Sequence, residues 1–437
     1  MTPASRAACA ALLLALLLGP GTAAGAYKPR VRKELRTLTD EEYRAFVVGL
    51  SVMLSLSTES GRRLFGPKFI SYQECIVKHS VATNDPRGDQ GHNGPPFMTF
   101  HRAFLLEMEQ SLLAVAPALK ALPYWDITLD NPGGKYYGTP KAIFGNKYLG
   151  GSDGDARVDY GVTTGVFAWR QVGKFIPAQW PQYKKWYNGS SAGFMRGPTS
   201  QNTNPLVTRF PTKNLANALK HANDPNNTNA LLKDLPDVVA KGEFLVNQGG
   251  KYVMRYPAAE YQRCLDPMKY RTWMEWSMCI DITVVMPAPK SVDKNKYIGP
   301  QAGTTAMLHA GKHMTTGSLA AAPSKAIGDM FDVSTSPNEV LLFPIHHANL
   351  DRSAMMWQAA ASKADPAMPF KYWGYPASKA DWSTASSGTL LNDVLCSNAP
   401  FKSLFSSPPA NPAGYTHREL LFHTRPGASP YTYDSML

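Results

Sequence analysis

The chain has 437 residues, 44% hydrophobic and 18% charged, with 34 Gly, 35 Pro and 10 His. Enough apolar side chain is present to bury a sizeable core, which excludes a disordered chain, and Gly and Pro predict many turns without a low-complexity class. The net charge of +12 would suit an anionic partner, so a nucleic-acid binder has to be weighed.

Residues 1–26 carry one charge, Arg6, ahead of the apolar run Ala10–Leu18, then Gly19-Pro20 and the small residues Ala24-Gly25-Ala26. The run is too short to span a bilayer and reads as a secretory signal cleaved after Ala26, leaving residues 27–437, with no linker long enough to separate two domains, as a single domain. No later run is long enough for a membrane span. Loss of Arg6 and Cys9 lowers the charge to about +11 and leaves Cys75, Cys264, Cys279 and Cys396, which in an oxidising compartment allow two disulfides in three pairings. A disulfide at Cys75 is expected. Asn188-Gly-Ser190 and Asn226-Asn-Thr228 are glycosylation sequons consistent with export.

Thr39-Asp-Glu-Glu42 is a capping box that opens an amphipathic helix through about Leu56, and Ser71-Tyr-Gln-Glu74 opens a second helix carrying His79. A polar loop from Asn84 to Pro96 leads to a helix over Met98–Val115, with Phe104, Leu105, Met108 and Leu112 on one face. From about Thr128 to Tyr297 the composition predicts long loops with a few short helices and strands. Helices are expected near Thr304–Met314 and from Ile345 to about Ser362. The tail from Tyr415 to Leu437 has alternating runs that could pair as strands.

The histidines carry the functional signal. His79, His92 and His101 fall close together, and His309, His313, His346 and His347 form a second group. His309 and His313, four apart, project from one helix face onto one metal. Two groups of neutral nitrogen donors suit Cu, Zn or Fe rather than Mg or Ca. Three protein ligands per metal leave coordination positions open, as in a catalytic site. Neighbours in a helix point about 100° apart, so only one of His346 and His347 can face the metal. His221 reads as a solvated loop residue. His417 and His423 flank strand-like residues and read as structural.

The run His92-Asn-Gly-Pro-Pro-Phe-Met-Thr-Phe-His101-Arg102, then Glu109, then Leu122-Pro-Tyr-Trp-Asp126, resembles the first copper motif of the tyrosinase and catechol oxidase family. The run His309-Ala-Gly-Lys-His313, then Gly328-Asp-Met330, Ser336-Pro-Asn338 and Phe343-Pro-Ile-His346-His347-Ala-Asn-Leu-Asp351-Arg352, resembles its second. With Val31–Glu42 and Tyr431-Thr-Tyr433 at the edges, the resemblance covers nearly the whole mature chain. It implies a mainly α fold in which a four-helix bundle holds a dinuclear copper site, surrounded by long loops and a few short strands.

By this resemblance His92, His101 and a preceding histidine bind one copper, and His79 is the only histidine of the mature chain before His92. His309, His313 and His347, which the family pattern favours over His346, bind the other. The cofactors implied are two copper ions cycling between Cu2+ and Cu+, with O₂ as co-substrate. The substrate implied is a small phenol such as catechol, L-DOPA or a tyrosine-like compound. Asp351, four residues after His347, is expected to orient the imidazoles and neutralise nearby charge, while Arg102, Glu109, Asp126 and Arg352 read either as partners in that role or as helix-surface charges. Phe343 is expected to wall the substrate ring or to pack in the core.

Departures from the pattern predict catechol oxidation with weak monophenol hydroxylation. Ala310 replaces the Asn of strong monophenol hydroxylases, and Pro300–Leu308 holds no Glu. Gln90 prevents the Cys-x-His thioether of some fungal relatives. Around Glu339-Val340 the usual Asp-Pro is replaced, which alters a turn. The chain stops just after Tyr433, where many relatives continue into a lid domain, so an open, non-latent site is expected. A full tyrosinase and a hemocyanin-like oxygen carrier are the rival readings. Basic residues cluster only at Lys28–Arg36 and Lys184-Lys185, so the charge reads as solvated surface, with neither nucleic acid nor membrane as partner.

Overall fold

The computed structural model describes residues 28–85, 89–92, 96–176, 178, 181, 194–197, 200–220, 245–248, 251–254, 258–281, 308–320, 326–370 and 391–436. The expected signal segment, both sequons and His221 lie outside them. Among the described residues the fold is mainly helical: α1 Asp40–Ser55, α2 Thr58–Phe65, α3 Tyr72–Thr83, α4 Pro96–Val115, α5 Thr212–Lys220, α6 Ala258–Cys264, α7 Trp273–Asp281, α8 Ala310–Gly317, α9 Leu342–Ala364 and α10 His417–His423. Strand β1 (Arg30–Arg32) pairs in parallel with β4 (Tyr431–Tyr433), and β2 (Leu245–Gln248) pairs antiparallel with β3 (Lys251–Met254).

Local chemistry sets the helix ends. Thr39 and Glu42 form the expected reciprocal capping box of α1. At α3 only half of that box exists: Ser71 accepts from the Glu74 N–H, while the Glu74 carboxylate is taken by Thr58. Pro96 begins α4 and Pro344 sits in the first turn of α9, where the missing N–H costs no intrahelical bond. Both proline-led helices start just ahead of functional histidines. Fifteen of the 20 residues of α4 are buried, far more than one amphipathic face, because α1, α7, α9 and α10 all pack around it.

The tail departs from expectation. Only Tyr431–Tyr433 is a strand, whereas His417–His423 is helical, started by a capping box of Thr416 and Glu419. Satisfying two helix-end donors this way overrides the alternating pattern. The helix expected near Thr304–Met314 also shifts, since α8 begins at Ala310 with His309 at its cap. One disulfide is described, Cys264–Cys279, while Cys75 is a buried free thiol and Cys396 is buried. The expected Cys75 disulfide is therefore absent: Cys75 is fully buried inside α3, where packing rather than crosslinking employs it. Among the described residues no helix is long and apolar enough to cross a membrane.

Candidate metal centre

His79 projects from α3, His101 from α4, His313 from α8 and His347 from α9; His309 caps α8, and His92 stands in the loop before α4. The side-chain nitrogens of His79, His92 and His101 lie within 4.8 Å of one another, and so do those of His309, His313 and His347. The six histidines singled out in the sequence thus form two triads. The triads abut: the rings of His101 and His347 stack with centroids 4.1 Å apart, and those of His92 and His309 are 6.0 Å apart at 15°.

The outer nitrogens fix the chemistry of the inner ones. His79 Nδ1 lies 3.0 Å from the Ser334 carbonyl, His101 Nδ1 2.8 Å from that of Phe97, and His313 Nδ1 2.7 Å from that of Met330. A carbonyl only accepts, so each of these Nδ1 atoms carries the proton and each Nε2 presents a lone pair. Yet Nε2 of His79 and Nε2 of His101 stand 3.3 Å apart, two lone pairs with no proton between them. His309 Nε2 is likewise buried without a hydrogen-bond partner. Lone pairs converging in a buried space are costly unless a cation sits among them, and neutral nitrogens in threes suit copper. The donor set therefore fits a metal at each triad.

Burial reinforces this. It holds His79, His101, His309 and His347 well below the ordinary imidazole pKa, and it takes His313 down to about 3, with the Met330 carbonyl opposing it. Neutral imidazole is the ligand form. His92 goes the other way, because Asp89 more than offsets the effect of its burial. His92, His309 and His313 keep 4–5% of their surface, whereas His79, His101 and His347 keep none. The accessible edge of the pair runs along the first three.

His346 lies beside the second triad, its ring 5.3 Å from His347, 5.4 Å from His313 and 5.8 Å from His309, but its nitrogens are not among the converging ones, and the ring also packs 6.5 Å from Trp125. Phe343 is fully buried, with its ring 4.2 Å from His347 and 5.3 Å from His79, so it packs between the triads as core. Ala310 is also buried. On the other side of α8, Lys312 lies over the rings of Trp125 and Phe144, at 4.5 and 5.0 Å, which gives the Trp of the first motif a partner in the second.

Asp351 neutralises neighbouring charge as expected but does not orient an imidazole. His347 Nδ1 has no hydrogen-bond partner. Instead Asp351 accepts from Arg102 Nε at 2.5 Å, Arg32 Nη1 at 3.0 Å, Tyr431 at 2.5 Å and Tyr433 at 2.8 Å, all fully buried or nearly so. Glu109 takes the rest of Arg32 at 2.9 and 3.3 Å, and Asp126 takes Arg352 at 3.1 Å. The charged residues of the motifs thus neutralise one another. Arg102 follows His101 and Asp351 follows His347 by a helical turn, so their ion pair sets the spacing of α4 and α9 beside the triads. Glu339, expected only to alter a turn, pairs with Arg209 at 2.6 and 2.7 Å.

The carboxylates that do reach imidazoles went unnoticed in the sequence. Asp89 lies 3.0 Å from His92 Nδ1, and Asp281 lies 2.6 Å from His309 Nδ1. An Asp three residues before a motif histidine is a local signal for the first; nothing local marks the second, 28 residues away.

Residues 70–360 match the family described as the common central domain of tyrosinase. The chain belongs to the tyrosinase family. Among tyrosinase-family relatives, grixazone synthase of Streptomyces griseus subsp. griseus is 33% identical over 142 residues, 32% of this chain and 40% of that protein. A tyrosinase of Streptomyces antibioticus is 35% identical over 141 residues, 32% of this chain and 44% of that protein. The matched stretch is less than half the length of either relative. A variant of polyphenol oxidase from Thermothelomyces thermophila shares the fold with a TM-score of 0.52 at 19% identity, covering 97% of this chain and 92% of that one. Tyrosinase from Burkholderia thailandensis at low pH gives 0.51 at 17% identity, covering 93% and 75%.

Proposed function

We propose that this tyrosinase-family protein is an exported copper oxidase that converts o-diphenols such as catechol or L-DOPA to o-quinones with O₂. Monophenols such as tyrosine are hydroxylated weakly. The observation that carries the reading is the pair of abutting histidine triads with Nε2 lone pairs facing inward. His79, His92 and His101 would hold one copper ion, and His309, His313 and His347 the other. Bound copper would supply O₂ binding and the cycling between Cu2+ and Cu+ that a two-electron oxidation of a diphenol needs.

The residues of the chain supply the rest. The accessible edge along His92, His309 and His313 is the side from which a phenol ring would approach. Phe343 fixes the triads relative to each other by packing against both. Ala310 places a methyl group, rather than an amide, directly after His309, and this supports the weak-monophenolase reading. The apolar run Ala10–Leu18 supports export, tested by finding a mature chain that begins at Tyr27 outside the producing cell.

The main test is oxygen consumption by copper-loaded protein holding two copper ions per chain. Catechol or L-DOPA should be turned over at least tenfold faster than tyramine or tyrosine. Equal rates would overturn the diphenolase preference. Reversible O₂ uptake with no catechol turnover would overturn the oxidase reading itself.

A further inference from the structure

The partners at Nδ1 divide the six imidazoles unevenly. Three face backbone carbonyls, of Ser334, Phe97 and Met330. Two face carboxylates, Asp89 on His92 in one triad and Asp281 on His309 in the other. Each triad holds one carboxylate-bound imidazole, and these two rings face each other across the centre, 6.0 Å apart and nearly parallel.

Both contacts are built rather than incidental. Asp89 Oδ1 also accepts the N–H groups of Gly91 at 2.7 Å and His92 at 2.9 Å, so the loop wraps its own carboxylate around the ligand. Asp281 closes α7, which the Cys264–Cys279 disulfide ties to α6 two residues earlier. The His309 N–H donates to the Ile280 carbonyl at 3.1 Å, so the end of α7 holds both backbone and ring of this histidine. Asp281 and His309 are almost wholly buried.

We propose that Asp89 and Asp281 are matched positioning residues, one for each metal, which set the strength with which His92 and His309 bind. The proposal rests on the copper reading above. A carboxylate holds the Nδ1 proton more tightly than a carbonyl does, through a charge-assisted bond. It thereby pins the tautomer and ring orientation and makes Nε2 a stronger donor to a cation. The two anions also offset part of the charge that two buried metal ions bring. Each metal thus has one strong ligand, and both strong ligands lie on the accessible edge.

The test is retention of copper by full-length protein during challenge with a chelator, with copper counted per chain. Asp89→Asn and Asp281→Asn should each weaken one of two bound coppers by roughly 10- to 100-fold, and Asp281→Glu should recover part of the loss. In a His347→Ala background, which leaves the first site alone, Asp89→Asn should weaken the remaining copper and Asp281→Asn should leave it unchanged. Thermal melting of the metal-free variants should stay near that of the parent, which a purely structural role would not allow. Wild-type retention in both variants overturns the proposal, and so does copper loss that tracks a lowered melting point of the metal-free protein. Failure of the parent protein to hold two coppers would instead overturn the functional reading.

Discussion

Replacing Asp351 by Asn tests the ion pair between the two triad-bearing helices. The carboxylate receives four hydrogen bonds, from Arg32, Arg102, Tyr431 and Tyr433, and is fully buried. Asn keeps one acceptor oxygen. If that oxygen serves Arg32 and the tyrosines, the amide NH₂ confronts Arg102 Nε, donor against donor. Arg32 still has Glu109, but Arg102 is left with the neutral partners Gln358 and Thr424, at 2.8 and 2.9 Å. An uncompensated buried cation of this kind costs about 3–5 kcal/mol. Against a total stability of about 5–15 kcal/mol, that is about a fifth or more.

Guanidinium denaturation of the metal-free protein reads this directly, as a lower midpoint with an unchanged slope. Arg102→Met in the same chain removes the orphaned charge, so the double variant should be less destabilised than the two single losses added together. A loss below about 1 kcal/mol for Asp351→Asn, or additive losses in the double variant, would refute the account of a buried ionic tie.

Further outcomes follow from the same geometry. His347→Ala should lower copper from two per chain to one and abolish catechol oxidation, while His346→Phe should keep two, as counted by metal analysis; the reverse pattern would exchange their roles. Metal-free protein should lose stability as pH falls below about 6.5, the value for free imidazole. His79, His101, His309, His313 and His347 are held neutral by burial, His313 down to about 3, so the unfolded chain binds more protons across that window. His92, raised by Asp89 against its burial, opposes the trend, and a denaturation midpoint that stays level from pH 7 to pH 5 would contradict this sign. Cys264→Ser with Cys279→Ser opens a 15-residue span and should cost about 3 kcal/mol. Because α7 ends on Asp281, the same variant should also lose copper faster in chelator; unchanged retention would show that the disulfide does not steady this contact.

By itself the sequence determined the family, the two histidine groups and the helices that carry most of them. Those features are local: capping residues, helical spacing and short motifs within a few turns of chain. Helical rotation showed that only one of His346 and His347 could face the metal, and the family pattern favoured His347. Tertiary structure decided what depends on residues distant in the chain. Asp351 stands one turn after His347, yet its partners come from Arg32, Arg102, Tyr431 and Tyr433, brought together when β1 and β4 pair across the whole length of the chain. Asp281 reaches His309 only because α7 ends beside the start of α8. The alternating tail became a helix around Thr416 and Glu419, and Cys75 kept its thiol inside α3. Motif spacing specifies which donors a metal could use, but charge compensation in a buried core is settled among all the segments that meet there.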